Sequence, residues 1–269
     1  MFLVILCILF TVGYTFLLNL INCSKWFNFL FIPVSFIVAV ITVLLLLVTT
    51  VYLLPKKHPN GKFRHFLSHQ AVWLTIKLTN YHIKVVGYEN LPKDPYVLCS
   101  NHKSMMDPVI CYYVCKKSKM SFVAKKELFQ IGILAMLKKR YGIISIDREN
   151  DREAVKSIIE AIKLIKNGTT MVVYPEGGIK SRDTDLMVDL KAGAYKLVTK
   201  SQVPLVPVSV IGSSKITDKG VFERKDIVFI IHKPIMPTEY KPLNTEKIGE
   251  MVFDIVNGGI NQYEEKKSS

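Results

Sequence analysis

The stretch Asn101-His102-Lys103-Ser104-Met105-Met106-Asp107-Pro108 follows directly on Tyr96–Ser100, a run that reads as a strand. A histidine at a strand end, with a carboxylate about one turn further on, is what a general base and its orienting partner require. The carboxylate fixes the imidazole tautomer and stabilises the imidazolium formed when His102 takes a proton from an alcohol. Such a base contributes about 10²–10⁴-fold, roughly 3–5 kcal/mol of barrier. Asp107-Pro108 also suits a helix start, since Asp accepts backbone N–H bonds and the residue before proline avoids α geometry. The two roles are compatible if one carboxylate oxygen caps while the other faces His102. Nearby nucleophiles are Cys99, which alternates with Leu98 and Ser100 and reads as a buried thiol, and Ser104, which reads as a local capping hydroxyl. No GxSxG elbow occurs in the chain, which favours direct attack by an activated hydroxyl over a covalent intermediate.

Two further blocks end strands with charged groups. Gly142–Arg148 finishes with Asp147 and Arg148, and Tyr174–Arg182 carries Glu176, Gly177, Gly178, Lys180, Ser181 and Arg182. Ligands of open α/β sheets bind where strands end, so neighbouring charged strand ends make one site. Adjacent glycines expose backbone N–H groups, and Lys or Arg adds charge-assisted contacts to phosphate. Taken singly, Asp147-Arg148 also reads as a surface ion pair and Gly177-Gly178 as a plain turn.

The elements that must position these residues alternate. Tyr96–Ser100, Gly142–Ile146, Thr170–Tyr174, Leu205–Val210 and Ile227–Ile231 read as strands, with helical patterns at Asp107–Lys117, Lys126–Lys139, Arg152–Asn167 and Lys191–Lys200. In the third of these helices Ala154, Val155, Ile158, Ile159, Ile162 and Ile165 share a face, with Asp151 as cap and Gly168 past the end. This predicts an α/β domain with a mixed, largely parallel sheet and helices on both faces.

Ahead of it, residues 1–55 contain a single charge, Lys25, between two uncharged runs of membrane-spanning length. They predict an N-terminal membrane helical hairpin, with Pro33 ending or kinking the first turns of its second helix. Residues 56–80 read as an amphipathic interfacial helix or linker, 81–260 as the α/β domain, and 261–269 as a polar tail, frayed over Glu264–Ser269. Lys56, Lys57, Lys62 and Arg64 place the large domain on the cytoplasmic face by the positive-inside bias. Removing Lys25 from 36 Lys and Arg leaves 35 basic against 22 acidic side chains, a surplus of 13 beyond residue 55. That surplus suits anionic lipid or acidic donors. It could also serve a non-catalytic lipid-binding protein, but no stacking block or DNA-reading motif accompanies it, so no nucleic acid partner is expected. The five cysteines form no zinc-ligand spacing and read as reduced thiols; no phosphate loop or dinucleotide loop is present.

Taken in order across roughly residues 80–215, these blocks resemble those of the glycerolipid acyltransferase family. The NHx4D block matches at Asn101, His102 and Asp107. A second block resembles Lys125-Lys126-Glu127-Leu128-Phe129 with Gly142 and Ile146-Asp147-Arg148. The third, EGTRS in the family, appears as Glu176-Gly177-Gly178-Ile179-Lys180-Ser181-Arg182, with Gly178 for Thr, Ile179 inserted and Lys180 at the Arg position. The fourth corresponds to Val203-Pro204-Leu205-Val206-Pro207-Val208. The resemblance implies His102 as base and Asp107 as its partner, with Asn101, Arg148, Glu176, Gly177, Gly178, Lys180, Ser181 and Arg182 serving substrate. It implies acyl transfer from acyl-CoA or acyl carrier protein to the sn-2 hydroxyl of lysophosphatidic acid at a membrane, without a metal or bound cofactor. Glycerol 3-phosphate or another lysophospholipid as acceptor, and thioester hydrolysis, remain the other readings.

Overall fold

The computed structural model describes residues 2–268 apart from 22–27, 54–60, 94, 131, 133, 134, 136, 137, 139, 140, 148 and 149. The chain divides into two compact units, Met1–Leu74 and Thr75–Ser269.

The first unit holds helices α1 (Phe2–Ile21) and α2 (Asn28–Leu53) and most of α3 (Lys62–Leu78). α1 is long and apolar enough to cross a membrane, while the apolar stretch Phe31–Leu46 of α2 is shorter. Most of the described polar side chains of α1 and α2 are satisfied locally, the buried Ser35 hydroxyl being an exception. Thr11, Thr15, Asn19 and Thr42 each donate to the carbonyl four residues earlier, and Tyr14 Oη and Thr42 Oγ1, 3.1 Å apart, bridge the two helices. This is what an apolar surrounding demands. Pro33 lies inside α2, which starts at Asn28 and runs through it. So close to the start, proline forfeits a single backbone bond and its fixed φ is already helical. The expected connector between the hairpin helices lies outside the described residues.

The second unit is a seven-stranded sheet. Its strands are β1 (Tyr81–Val86), β2 (Val97–Ser100), β3 (Met120–Lys125), β4 (Ile144–Ile146), β5 (Thr170–Val173), β6 (Leu205–Ile211) and β7 (Lys225–Ile231), in the order β1-β7-β6-β2-β5-β3-β4. All neighbours are parallel except β6 and β7. Around the sheet lie α4 (Asp107–Val114), α5 (Asp151–Lys166), α6 (Lys196–Ser201), α7 (Pro237–Tyr240) and α8 (Thr245–Ser268). Every residue of β2, β5 and β6 is buried, as expected of central strands covered on both faces.

The structure adds β1 and β3 to the sequence reading. β1 is an edge strand with His82 and Lys84 exposed, and β3 is poor in β-branched residues, so neither gives a clear signal. The helix expected over Lys126–Lys139 begins as a 3-10 turn, Lys126–Gln130. α5 forms as expected but is capped by Asn150, whose Oδ1 accepts from Glu153 N at 3.2 Å, and Val155 and Ile159 of its apolar face are exposed. The frayed tail is corrected: α8 continues to Ser268. Val252, Val256 and Ile260 recur every fourth residue and bury one stripe, so the polar residues between them are the solvent face of a helix.

Candidate active site

Strand order explains why distant charged groups meet. β2, β5, β3 and β4 are consecutive and parallel, so His102 after β2, Glu176 to Gly178 after β5, Lys125 at the end of β3 and Asp147 after β4 share one rim. Arg148, expected beside them, lies outside the described residues.

At the centre of the rim, His102 Nδ1 is 3.0 Å from Asp107 Oδ2. Because a carboxylate accepts, Nδ1 carries the proton and Nε2 the lone pair. Among the described residues Nε2 has no partner, and the side chain is partly exposed. It is therefore placed to take a proton from a ligand. The Tyr174 ring stacks on the imidazole, centroids 4.2 Å apart and planes 22° from parallel. Asp107 does not divide its oxygens as the sequence suggests. Oδ2 accepts from His102 and also from Lys103 N (2.7 Å) and Ser104 N (2.8 Å), whereas Oδ1 is buried with no partner among the described residues. The carboxylate folds the loop before α4 instead of capping the helix after it, and the same oxygen that orients the base holds its loop. Ser104 Oγ accepts from Met106 N at 3.2 Å, a local role. Burial pushes the Cys99 thiol up, away from thiolate chemistry.

Two expected ligand contacts are corrected. Glu176 and Asn101 are fully buried, so neither side chain can touch a substrate. Glu176 Oε1 accepts from His102 N at 2.8 Å; its Oε2 accepts from Lys103 Nζ at 2.8 Å and Val188 N at 3.3 Å. Asn101 Nδ2 donates to the carbonyls of Asp185 and Val210, both at 2.7 Å, and its Oδ1 accepts from Val210 N at 2.9 Å. Asp185 in turn accepts from Gly212 N (2.6 Å) and Ser214 N (2.9 Å), tying the exit of β6 to the same loop. These residues position His102 from behind.

The remaining members line the outer rim. Gly177 has φ 77° and Gly178 φ 148°, values that L side chains rarely adopt, so the turn after Glu176 requires glycines. Gly177 N–H is used by the Tyr174 carbonyl at 3.0 Å, whereas Gly178 N–H has no partner among the described residues. A Cβ on Gly178 would lie 3.7 Å from Lys125 Nζ, so an exposed cation overhangs the turn. Lys180 is exposed and 3.7 Å from Asp189, Ser181 Oγ donates to Asp183, and Arg182 is exposed. Asp147 pairs with Lys126 at 3.0 Å. Sequence reasoning overlooked Lys103, Tyr174, Asp185 and Lys125 as parts of the site. Tyr174, ahead of Pro175-Glu176 at a strand end, was legible; nothing in the sequence signals that Lys103 is buried. No group of three or more His, Cys, Asp or Glu that could hold a metal is found among the described residues.

An imidazole oriented by a buried carboxylate thus sits at the strand ends of an α/β sheet, beside exposed cations. Residues 82–211, just under half of the chain, match the family described as Acyltransferase. Relatives include a chloroplastic 1-acyl-sn-glycerol-3-phosphate acyltransferase of Brassica napus, 29% identical over 211 residues that make up 76% of this chain and 60% of that protein. A chloroplastic enzyme of the same description from Arabidopsis thaliana is 32% identical over 65% of this chain and 49% of that one. The chain thus spans about half to three-fifths of the length of these two relatives. The fold resembles the crystal structure of the 1-acyl-sn-glycerophosphate acyltransferase PlsC from Thermotoga maritima, with TM-score 0.60, 22% identity, and coverage of 96% of this chain and 95% of that one.

Proposed function

We propose that the protein is a 1-acylglycerol-3-phosphate O-acyltransferase, moving a fatty acyl group from acyl-CoA or acyl carrier protein to the sn-2 hydroxyl of lysophosphatidic acid. The observation that carries this reading is the His102–Asp107 pair, with Nε2 open, beside cations suited to a phosphate. Relatives described as 1-acyl-sn-glycerol-3-phosphate acyltransferases support the same reading.

His102 Nε2 takes the proton of the acceptor hydroxyl as its oxygen attacks the thioester carbonyl. The C–O bond forms, the tetrahedral oxyanion collapses, the C–S bond breaks, and the imidazolium returns its proton to the departing thiolate. Asp107 stabilises the imidazolium, and Gly178 N–H is the available backbone donor for the oxyanion. Lys125, Lys180 and Arg182 face the acceptor phosphate. Lys180 is a point charge and cannot grip two phosphate oxygens as an arginine fork does. No resident cofactor enters these steps. In this reading residues 1–55 embed in the membrane, 56–80 lie at its surface, and the domain from residue 81 works at the cytoplasmic face.

The test is mass-spectrometric detection of phosphatidic acid after incubating the protein with lysophosphatidic acid and each donor. Wild type yields product, and His102→Ala yields none while remaining folded. Substantial product from the variant would remove His102 as the base; free fatty acid without an acceptor requirement would make the protein a hydrolase.

A further inference from the structure

The loop entering β7 is built around a buried ammonium. Lys225 is 4% exposed, and its Nζ donates toward the carbonyls of Gly220 (2.7 Å), Glu223 (2.8 Å), Val221 (3.0 Å) and Thr79 (3.3 Å). Asn80 Nδ2 holds the Phe222 carbonyl at 3.0 Å, Glu223 Oε2 accepts from Gly220 N, and Lys219 Nζ donates to the Arg224 carbonyl at 2.8 Å. A buried charge is tolerated only when its donors are satisfied, so the loop backbone is held to this shape. Its consequence is that Val221 and Phe222 are held out into solvent.

Their place in the fold matters as much as their exposure. β7 is antiparallel to β6, and β6 is parallel to β2, so the start of β7 lies at the sheet end where His102 follows β2. β1 is parallel to β7, so its start, which Leu78 precedes, lies there too. The four most exposed large apolar side chains described in the Thr75–Ser269 unit are Phe222 (77%), Val221 (62%), Met105 (61%) and Leu78 (58%), and all four belong to this end. Apolar groups gathered on one rim of a domain with a surplus of positive charge, with Lys219 and Arg224, the latter paired with Asp226 at 2.8 Å, flanking the tip beside the exposed Glu223, match a phospholipid leaflet better than they match water.

We propose that the Val221–Phe222 tip is a bilayer contact of the catalytic unit itself, separate from the N-terminal helices. Val221 and Phe222 enter the acyl-chain region while Lys219 and Arg224 remain among the headgroups. The contact keeps the His102 rim at the interface; this last step rests on the reading that the acceptor is a bilayer lipid.

The experiment uses the full chain in vesicles of phosphatidylcholine and phosphatidylglycerol, with and without brominated acyl chains. Phe222→Trp is compared with wild type, whose emission comes from Trp26 and Trp73. The proposal expects an added, blue-shifted emission that brominated lipid quenches. Added emission that is water-like and quenched by iodide instead would overturn it. So would blue-shifted emission untouched by bromine, which would mean that protein, such as a second copy of this chain, covers the tip. As a second arm, Val221→Ser with Phe222→Ser is expected to lose about tenfold in turnover of vesicle-embedded lysophosphatidic acid. Turnover of a short-chain, water-soluble acceptor should be unchanged, which also verifies that the variant is folded; equal loss on both acceptors would sink the proposal. Bromine quenching without acyl transfer to any acceptor would instead leave the bilayer contact standing and remove the assigned reaction.

Discussion

Lys103 shows how one residue couples fold and chemistry at this site. It follows the proposed base directly, is fully buried, and pairs with Glu176, whose other oxygen holds the backbone N–H of His102. Removing one partner of a buried pair costs about 3–5 kcal/mol, because the charge left behind is unpaired, whereas neutralising both can cost little. Lys103→Met is therefore expected to lower the thermal midpoint strongly and to reduce kcat. Lys103→Met with Glu176→Gln should recover most of the stability, since a glutamine carbonyl can still accept from His102 N. Unfolding of the three proteins in one detergent checks this; a double variant no more stable than the single one would show that the pair does not hold the loop. The pairing of His102 with Asp107 was readable from residue type and spacing. That Asn101 and Glu176 act from behind was not, because an NHx4D or EGG pattern states which polar groups occur and not which way they face. Only the crossing of β5 beside β2 reveals that direction.

At the scale of elements, α8 shows what sequence periodicity could not separate. Its Gly258 and Gly259 are adjacent and look equivalent, yet a Cβ on Gly258 would meet nothing within 4 Å. One on Gly259 would clash with the His232 ring at Cε1 and lie 2.9 Å from Ser209 Oγ. Ser209 Oγ donates to the Val256 carbonyl at 2.7 Å, so it accepts from His232 Nε2–H at 2.8 Å, and the imidazole is latched between α8 and the sheet. Gly259→Ala should cost about 1–3 kcal/mol by overpacking, while Gly258→Ala should gain about 0.5–1 kcal/mol of helix stability. Denaturation curves of opposite sign would bear this out, and like signs would refute it. The same latch is sensitive to pH. Burial holds the His232 pKa below its ordinary 6.5, so the fold favours the neutral ring. Its contribution is complete above 6.5 and is lost as pH falls from there toward the depressed value. The drop in thermal midpoint between pH 7 and pH 5 should be smaller in His232→Gln, whose amide can still donate to Ser209.

Across the whole molecule, charge and grease are segregated along the chain: a nearly uncharged first fifth, then a surplus of 13 positive charges. If the acceptor is a membrane lipid, these two parts act at different ranges. Apolar helices hold the protein by contact, whereas the basic surface works over a Debye length, about 30 Å at 0.01 M salt and about 3 Å at 1 M. Anionic lipid should then concentrate the catalytic rim at the bilayer without touching the chemistry. In surface-dilution kinetics with fixed lysophosphatidic acid, raising the phosphatidylglycerol fraction is expected to lower the apparent KM at low salt and to leave kcat unchanged. At 1 M salt the KM curves for anionic and neutral vesicles should converge, and protein recovered with floated vesicles should stay constant, because apolar anchoring is not screened. A kcat that rises with phosphatidylglycerol would place anionic lipid inside the reaction as substrate or activator, and protein released by salt would mean that charge, not the N-terminal helices, holds the chain to vesicles.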